Sequence, residues 1–196
     1  MIRLFSNFAI ALIIPIVIGV NMPAESDKYH YPEYPELLDG PFTGGFGEQS
    51  CHSCHFSYDL NDSRGELLVD GISNSYKPDQ VYKIEIKLRH EEMKNGGFQL
   101  TARFGDGTQA GEFEWVNERL AFTPERRVGG DVKYLQHTAE GSELTDDRKT
   151  NWVFYWKAPS RGEKPVIFNI AANAGNDDLS AFGDWVYLKE IILNPK

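Results

Sequence analysis

Five consecutive residues, Cys51-His52-Ser53-Cys54-His55, hold the chemistry this sequence is equipped to do. Their spacing is C-x-x-C-H, the attachment pattern of c-type haem. Two thiols three positions apart can form thioethers to the two vinyl groups on one porphyrin edge. The histidine that follows can reach the iron from the proximal side. The chain has only these 2 cysteines, and three other uses of them compete: a Cys51–Cys54 disulfide, which can be redox-active, part of a zinc site, or an inert pair. A thioredoxin-like pair wants a helix N-terminus in a βαβ setting, and zinc wants a fourth ligand. Covalent haem c, one per chain, is therefore the expectation. Cys51 and Cys54 attach it, and His55 is the proximal iron ligand.

A haem iron usually takes a second axial group. Past residue 24 the only methionine is Met93, and the remaining histidines are His30, His52, His90 and His137. His52 lies between the tethered cysteines, where its ring can hardly reach the opposite haem face. His90 and Met93 share the charged stretch Arg89–Asn95, which reads as a solvated hairpin end. His30 sits in the aromatic lead Tyr29-His30-Tyr31-Pro32. His137 ends Val132–His137, where Leu135 and His137 would share a strand face and set the imidazole beside apolar surface. Other motifs are weaker. Asp59–Gly65 has the outline of a calcium loop, but Arg64 stands where the turn requires Gly, so it reads as a polar turn. Asn61-Asp62-Ser63 matches the N-glycosylation pattern. No G-x-S-x-G elbow, phosphate loop or zinc-protease motif occurs, and no catalytic nucleophile is expected.

The elements that must position these groups follow from patterning. Arg3 and the apolar run Phe8–Val20 predict a secretory signal over 1–24, too short for a comfortable membrane span. The mature protein is expected to be exported, membrane-bound only if that segment stays uncleaved. Residues 25–65 are rich in Pro and Gly and predict an irregular, haem-attaching segment. From 66 to 196 short alternating runs follow: Tyr82-Ile84-Ile86-Leu88, Phe98-Leu100-Ala102 after an Asn95-Gly96-Gly97 turn, Trp152-Phe154-Trp156, Val166-Phe168-Ile170-Ala172 and Val186-Leu188. That period of two predicts an all-β, antiparallel β-sandwich forming one structural unit with the haem segment. With 20 Lys+Arg against 29 Asp+Glu the chain has a net charge of −9. An acidic surface repels phosphate backbones, so nucleic acid is not an expected partner.

Six short blocks in order resemble the bacterial reelin-like domains, also called choice-of-anchor V domains, in the form that carries a haem-attachment motif. They are Gly45-Phe46-Gly47 leading into Cys51–His55; Tyr76–Tyr82, with Asp79 where the family has Gly; Gly97–Ala102; Tyr134–Thr138; Trp156–Pro159; and Ala172–Asn176 with Gly183–Tyr187. The resemblance implies an Ig-like β-sandwich in an exported protein. Members often carry a C-terminal surface-sorting tail, absent after Ile191, which implies a periplasmic or freely secreted protein. The family's His-Thr pair falls on His137-Thr138 and makes His137 the expected distal ligand. The functional expectation is a monohaem c-type cytochrome working in electron transfer with redox-protein partners and no enzymatic role. The alternative is a reelin-like binding or adhesion module without a redox role.

Overall fold

Alternation along the chain is realised as paired strands whose odd and even residues face opposite sides. The computed structural model describes residues 40–124 and 130–196. The candidate signal over 1–24, the first part of the irregular segment and His30 lie outside these described residues. Among the described residues the strands are β1 (Gly65–Asp70), β2 (Ser75–Tyr76), β3 (Val81–His90), β4 (Asn95–Phe104), β5 (Glu112–Glu114), β6 (Leu120–Phe122), β7 (Leu135–His137), β8 (Lys149–Lys157), β9 (Val166–Gly175) and β10 (Trp185–Pro195). Among the same residues helix is confined to a single turn, α1 (Ala139–Ser142), and a 3-10 turn at Cys51–Ser53. No helix among the described residues is long and apolar enough to cross a membrane.

The strands form two sheets. One has the order β1-β3-β8-β5, the other β2-β10-β9-β4-β7-β6. All pairs are antiparallel except the short β2–β10 contact. The fold is the expected all-β sandwich. Its inner layer is apolar and aromatic: Ile84, Ile86 and Leu88 from β3 and Trp152, Phe154 and Trp156 from β8 face Phe98, Leu100, Phe168 and Ile170. The rings interlock edge-on, with Trp156 on Phe168 at 4.9 Å and 77°, a geometry that adds to area burial. Trp156 Nε1 donates to the Ala110 carbonyl and Trp152 Nε1 to the Gly141 carbonyl, so neither indole buries an unpaired donor.

Two local expectations are corrected. Asn95-Gly96-Gly97 is not a turn but the start of β4, paired with Gly175, Ala174 and Asn173 of β9. Its glycines serve close approach. A Cβ on Gly96 would meet Thr150 Cγ2 at 2.7 Å, and one on Gly97 would meet His137 Cε1 at 2.6 Å. Nor are His90 and Met93 solvated: they are 1% and 2% exposed. The charged neighbours Glu91, Glu92 and Lys94 stay at the turn, while Met93 drops into the core beside Gly96. His90 stacks on Trp185 at 3.9 Å.

The outer face of the six-stranded sheet is covered as well. Gln99, Thr101, Arg103, Ala171, Asn169 and Val186 point away from the inter-sheet core by register, yet all are buried. What lies on them is the segment 40–64, which carries the cysteine motif, together with Lys133 and Tyr134 at Thr101 and Arg103. This segment and the sandwich fall in one compact unit.

Candidate functional site

The motif segment is fastened to three strands in succession. Phe42 N–H donates to Gln99 Oε1 and Gln99 Nε2 donates to the Gly40 carbonyl, both on β4. Glu48 takes both arms of the buried Arg103 guanidinium, at 2.5 and 3.2 Å, and accepts from Tyr134 Oη and Thr43 Oγ1. Phe46 lies over the same guanidinium at 4.2 Å. Burial, with the Glu48 carboxylate beside it, drives the Tyr134 hydroxyl well above the ordinary tyrosine range. On β9, a side chain on Gly45 would overlap Asn169, so the chain passes there at backbone distance.

After the motif the segment follows β10. Ser57 Oγ accepts from Gly183 N–H, Tyr58 stacks on Trp185 at 4.9 Å and 6°, Asn61 N–H donates to the Val186 carbonyl, and Asn61 Oδ1 accepts from Leu188 N–H. Asn61 has φ 57°, a left-handed turn that Asn tolerates. The Asp59–Gly65 stretch is thus a docking turn. Arg64 donates to the Asp62 carboxylate and lies over both the Tyr58 and Trp185 rings.

Within that frame Ser50 opens the 3-10 turn, its hydroxyl accepting from His52 N–H while Ser53 Oγ accepts from Ser50 N–H. In a 3-10 turn positions i and i+3 eclipse, so Cys51 and Cys54 project side by side. Both thiols are free. Burial pushes the Cys51 thiol up to about 12, with Cys54 adding to the shift. That is opposite to the lowered thiol of a redox-active C-x-x-C pair. His52 Nε2 bonds the Tyr58 carbonyl at 3.0 Å, which occupies the ring within its own loop.

His55 is the residue the sandwich itself grips. Its Nδ1 lies 2.7 Å from Asp184 Oδ2, and the aspartate is 3% exposed. Burial alone would raise this carboxyl. Hydrogen bonds from His55, from Asn173 Nδ2 and from Asn176 N–H outweigh it and hold the group below its usual range. An ionised carboxylate only accepts, so Nδ1 is the donor, and the neutral ring in this tautomer has its lone pair on Nε2. Asp184 and Asn173 were not legible as site residues. They stand 129 and 118 positions from His55, and the only signal was their place inside two of the quoted sequence blocks.

His137 ends β7. Its Nδ1 bonds the main chain of Phe98 at 3.1 Å, and the ring lies where a side chain on Gly97 would begin. Desolvation lowers its pKa, with the hydrogen bond to the Phe98 main chain opposing the shift and Arg119 adding to it. Leu135, expected on the same side, is in the inter-sheet core. Gly97 instead faces outward with Gln99, because Phe98 and Leu100 fill the core. Gly97 pairs directly with Asn173, and Asn173 Nδ2 is 3.5 Å from His55 Nδ1. Gly97, which the His137 ring covers, is thus the sheet partner of the asparagine that reaches His55.

A c-type haem fits this donor set: paired thiols on one side of a turn, a histidine with Nδ1 anchored and Nε2 uncommitted, and apolar surface beside it. Phe56 and Phe182, next in sequence to His55 and Gly183, pack edge-on at 5.8 Å yet are 57% and 62% exposed.

Residues 49–177 match the model of the Reeler domain. The chain belongs to the Reeler domain family. The match takes in the cysteine motif and ends before Asp184. Among solved structures, the Reelin-N domain of F-spondin is similar at 18% identity, with 69% of this chain and 90% of that chain covered and a TM-score of 0.45. The human F-spondin reeler domain is similar at 19% identity, covering 69% and 93%, with a TM-score of 0.44. BslA, a bacterial hydrophobin, is 13% identical over 71% of this chain and 98% of its own, with a TM-score of 0.35. A comparison with curated proteins found no match.

Proposed function

We propose that this Reeler domain is an exported monohaem c-type electron carrier, with Cys51 and Cys54 holding the haem through thioethers. The observation that carries the reading is His55: Nδ1 is bound to a buried carboxylate, which orients the ring and leaves Nε2 as the iron-facing atom. When bound, the haem supplies a one-electron ferric/ferrous couple. The chain's own residues do the rest. The 3-10 turn presents both thiols together, Asp184 and Asn173 orient His55, and Phe56 and Phe182 offer apolar cover. His137 is the second axial ligand in this reading. Its Nδ1 lies 3.1 Å from both the N–H and the carbonyl of Phe98, and in the tautomer that donates to the carbonyl Nε2 carries the lone pair. Redox proteins are the proposed partners, and the compartment is periplasmic or extracellular.

A second reading, an extracellular binding or adhesion module without a redox role, is favoured by Reeler membership itself. One measurement separates the two. The protein is matured in cells with an active haem-attachment system, then examined by intact mass and visible absorbance. A mass increased by one haem and a split reduced spectrum support the carrier. Colourless protein of unmodified mass supports the binding module. In the haem-bearing form, His137→Ala turns low-spin iron high-spin. A wild-type low-spin spectrum in that variant removes His137 as the ligand.

A further inference from the structure

Building on the haem reading, we infer that Asp184 is a positioning residue that makes His55 a strongly electron-donating iron ligand and so sets a low haem potential. A histidine whose Nδ1–H faces a main-chain carbonyl keeps its proton, and its basicity stays ordinary. One that faces a buried carboxylate shares the proton and pushes more electron density to Nε2. Here the facing group is Asp184 Oδ2 at 2.7 Å. The added negative density stabilises ferric iron over ferrous, because the ferric centre carries one more positive charge.

The carboxylate is fixed independently of the motif. Asn176 N–H donates to its Oδ1 at 2.9 Å and Asn173 Nδ2 to its Oδ2 at 3.1 Å. The chain is pinned on both sides, by Gly183 N–H on Ser57 Oγ and by Trp185 on Tyr58. The motif in turn closes without Asp184, through the Ser50 and Ser53 hydroxyls at the 3-10 turn. Attachment of haem and tuning of its ligand are therefore separable. Asn173 has an opposing part: it donates to the same oxygen that His55 uses, and so draws charge away from the histidine.

These two roles give shifts of opposite sign. Wild type, Asp184→Asn, Asp184→Glu and Asn173→Leu are prepared as haem-bearing full chains. Each is equilibrated in one redox buffer, with the reduced fraction read by absorbance and the ferric spectrum by electron paramagnetic resonance. In Asp184→Asn the reduced-to-oxidised ratio rises about tenfold, which for a one-electron couple is about 59 mV. Asp184→Glu recovers part of the shift, and Asn173→Leu moves the ratio the other way. Wild-type ratios and resonance spectra in both Asp184→Asn and Asn173→Leu overturn the inference, as does a shift of the same sign in both. If Asp184→Asn fails to fold, the sign of the Asn173→Leu shift decides alone. A wild-type chain that takes up no covalent haem overturns the haem reading itself, and this inference with it.

Discussion

The two outer faces of the sandwich are built on opposite terms. On the four-stranded sheet the face is open to solvent, and its polar side chains pair across strands: Lys87 with Asp70 at 2.7 Å, Arg89 with Glu66 at 2.5 Å, and Asn151 with Glu85 at 2.7 Å. On the six-stranded sheet the face is roofed by segment 40–64. Its residues are also polar, but buried: Gln99, Thr101, Arg103 and Asn169. The reason is the kind of chain that covers it. An irregular segment has main-chain donors and acceptors outside any ladder, and once buried they must find partners. Gln99 answers Phe42 N–H and the Gly40 carbonyl in this way. Burial on the inner face is hydrophobic and tolerant of exact position. Burial under the roof is directional, and it places the motif.

The strongest break in that contrast is Glu48→Ala. It strands a guanidinium whose side chain is 4% exposed, and loss of one partner of a buried pair costs about 3–5 kcal/mol. Glu66→Ala on the open face removes a similar contact between groups that water already screens, and stays within about 1 kcal/mol. Urea unfolding of the two variants measures the difference directly. Gly97→Ala comes next. The new Cβ meets the His137 ring, displaces it from Phe98 and lowers stability by about 1–3 kcal/mol. Thermal melting reads the loss, and in haem-bearing protein the low-spin spectrum is lost with it.

Acidification sharpens the comparison further. Burial, with Arg64 adding, lowers the His90 pKa from 6.5, and burial with Arg119 does the same at His137. The unfolded chain then binds more protons than the native one, so stability rises with pH across this window and falls on acidification from neutrality. Asp62 and Asp184, held below the ordinary carboxylate range, lose their contribution only at lower pH, below about 4. His90→Gln flattens the upper part of the melting-against-pH curve and leaves the acid limb in place. The smallest effect belongs to Phe182→Ser at the exposed rim. It changes unfolding free energy by no more than about 0.5 kcal/mol, while lowering haem retention in denaturant-titrated holoprotein.

What the sequence made legible follows the same division. β3 and β8 are long strands with one face buried, and their alternation is visible residue by residue, as it is in β9 although both its faces are covered. β2, β5, β6 and β7 have two or three residues each, too few for a period to show. Asn95-Gly96-Gly97 carries turn chemistry but serves a strand, because the space its missing side chains leave is filled by Thr150 and His137. The cysteine motif is local and could be read at once. Asp184, Asn173 and Gly97 act on it only through sheet register, and register between distant strands leaves no mark at a single position. Arg64 and Asp62 looked like a failed ion loop because a short polar turn has the same composition whether it binds an ion or docks on a neighbouring strand.

The distance along the chain between His55 and Asp184 also sets an order of events. The motif leaves the ribosome 129 residues before the carboxylate that holds its histidine, and before every residue of the strand along which its loop will run. Until β10 is made and paired with β9, Ser57, Tyr58 and Asn61 have no counterpart, and the chain that follows the thiols has no strand to run along. Any chemistry on Cys51 and Cys54 that needs an extended, reachable substrate has its opportunity in that interval. The last strand to arrive is also the one that shuts it.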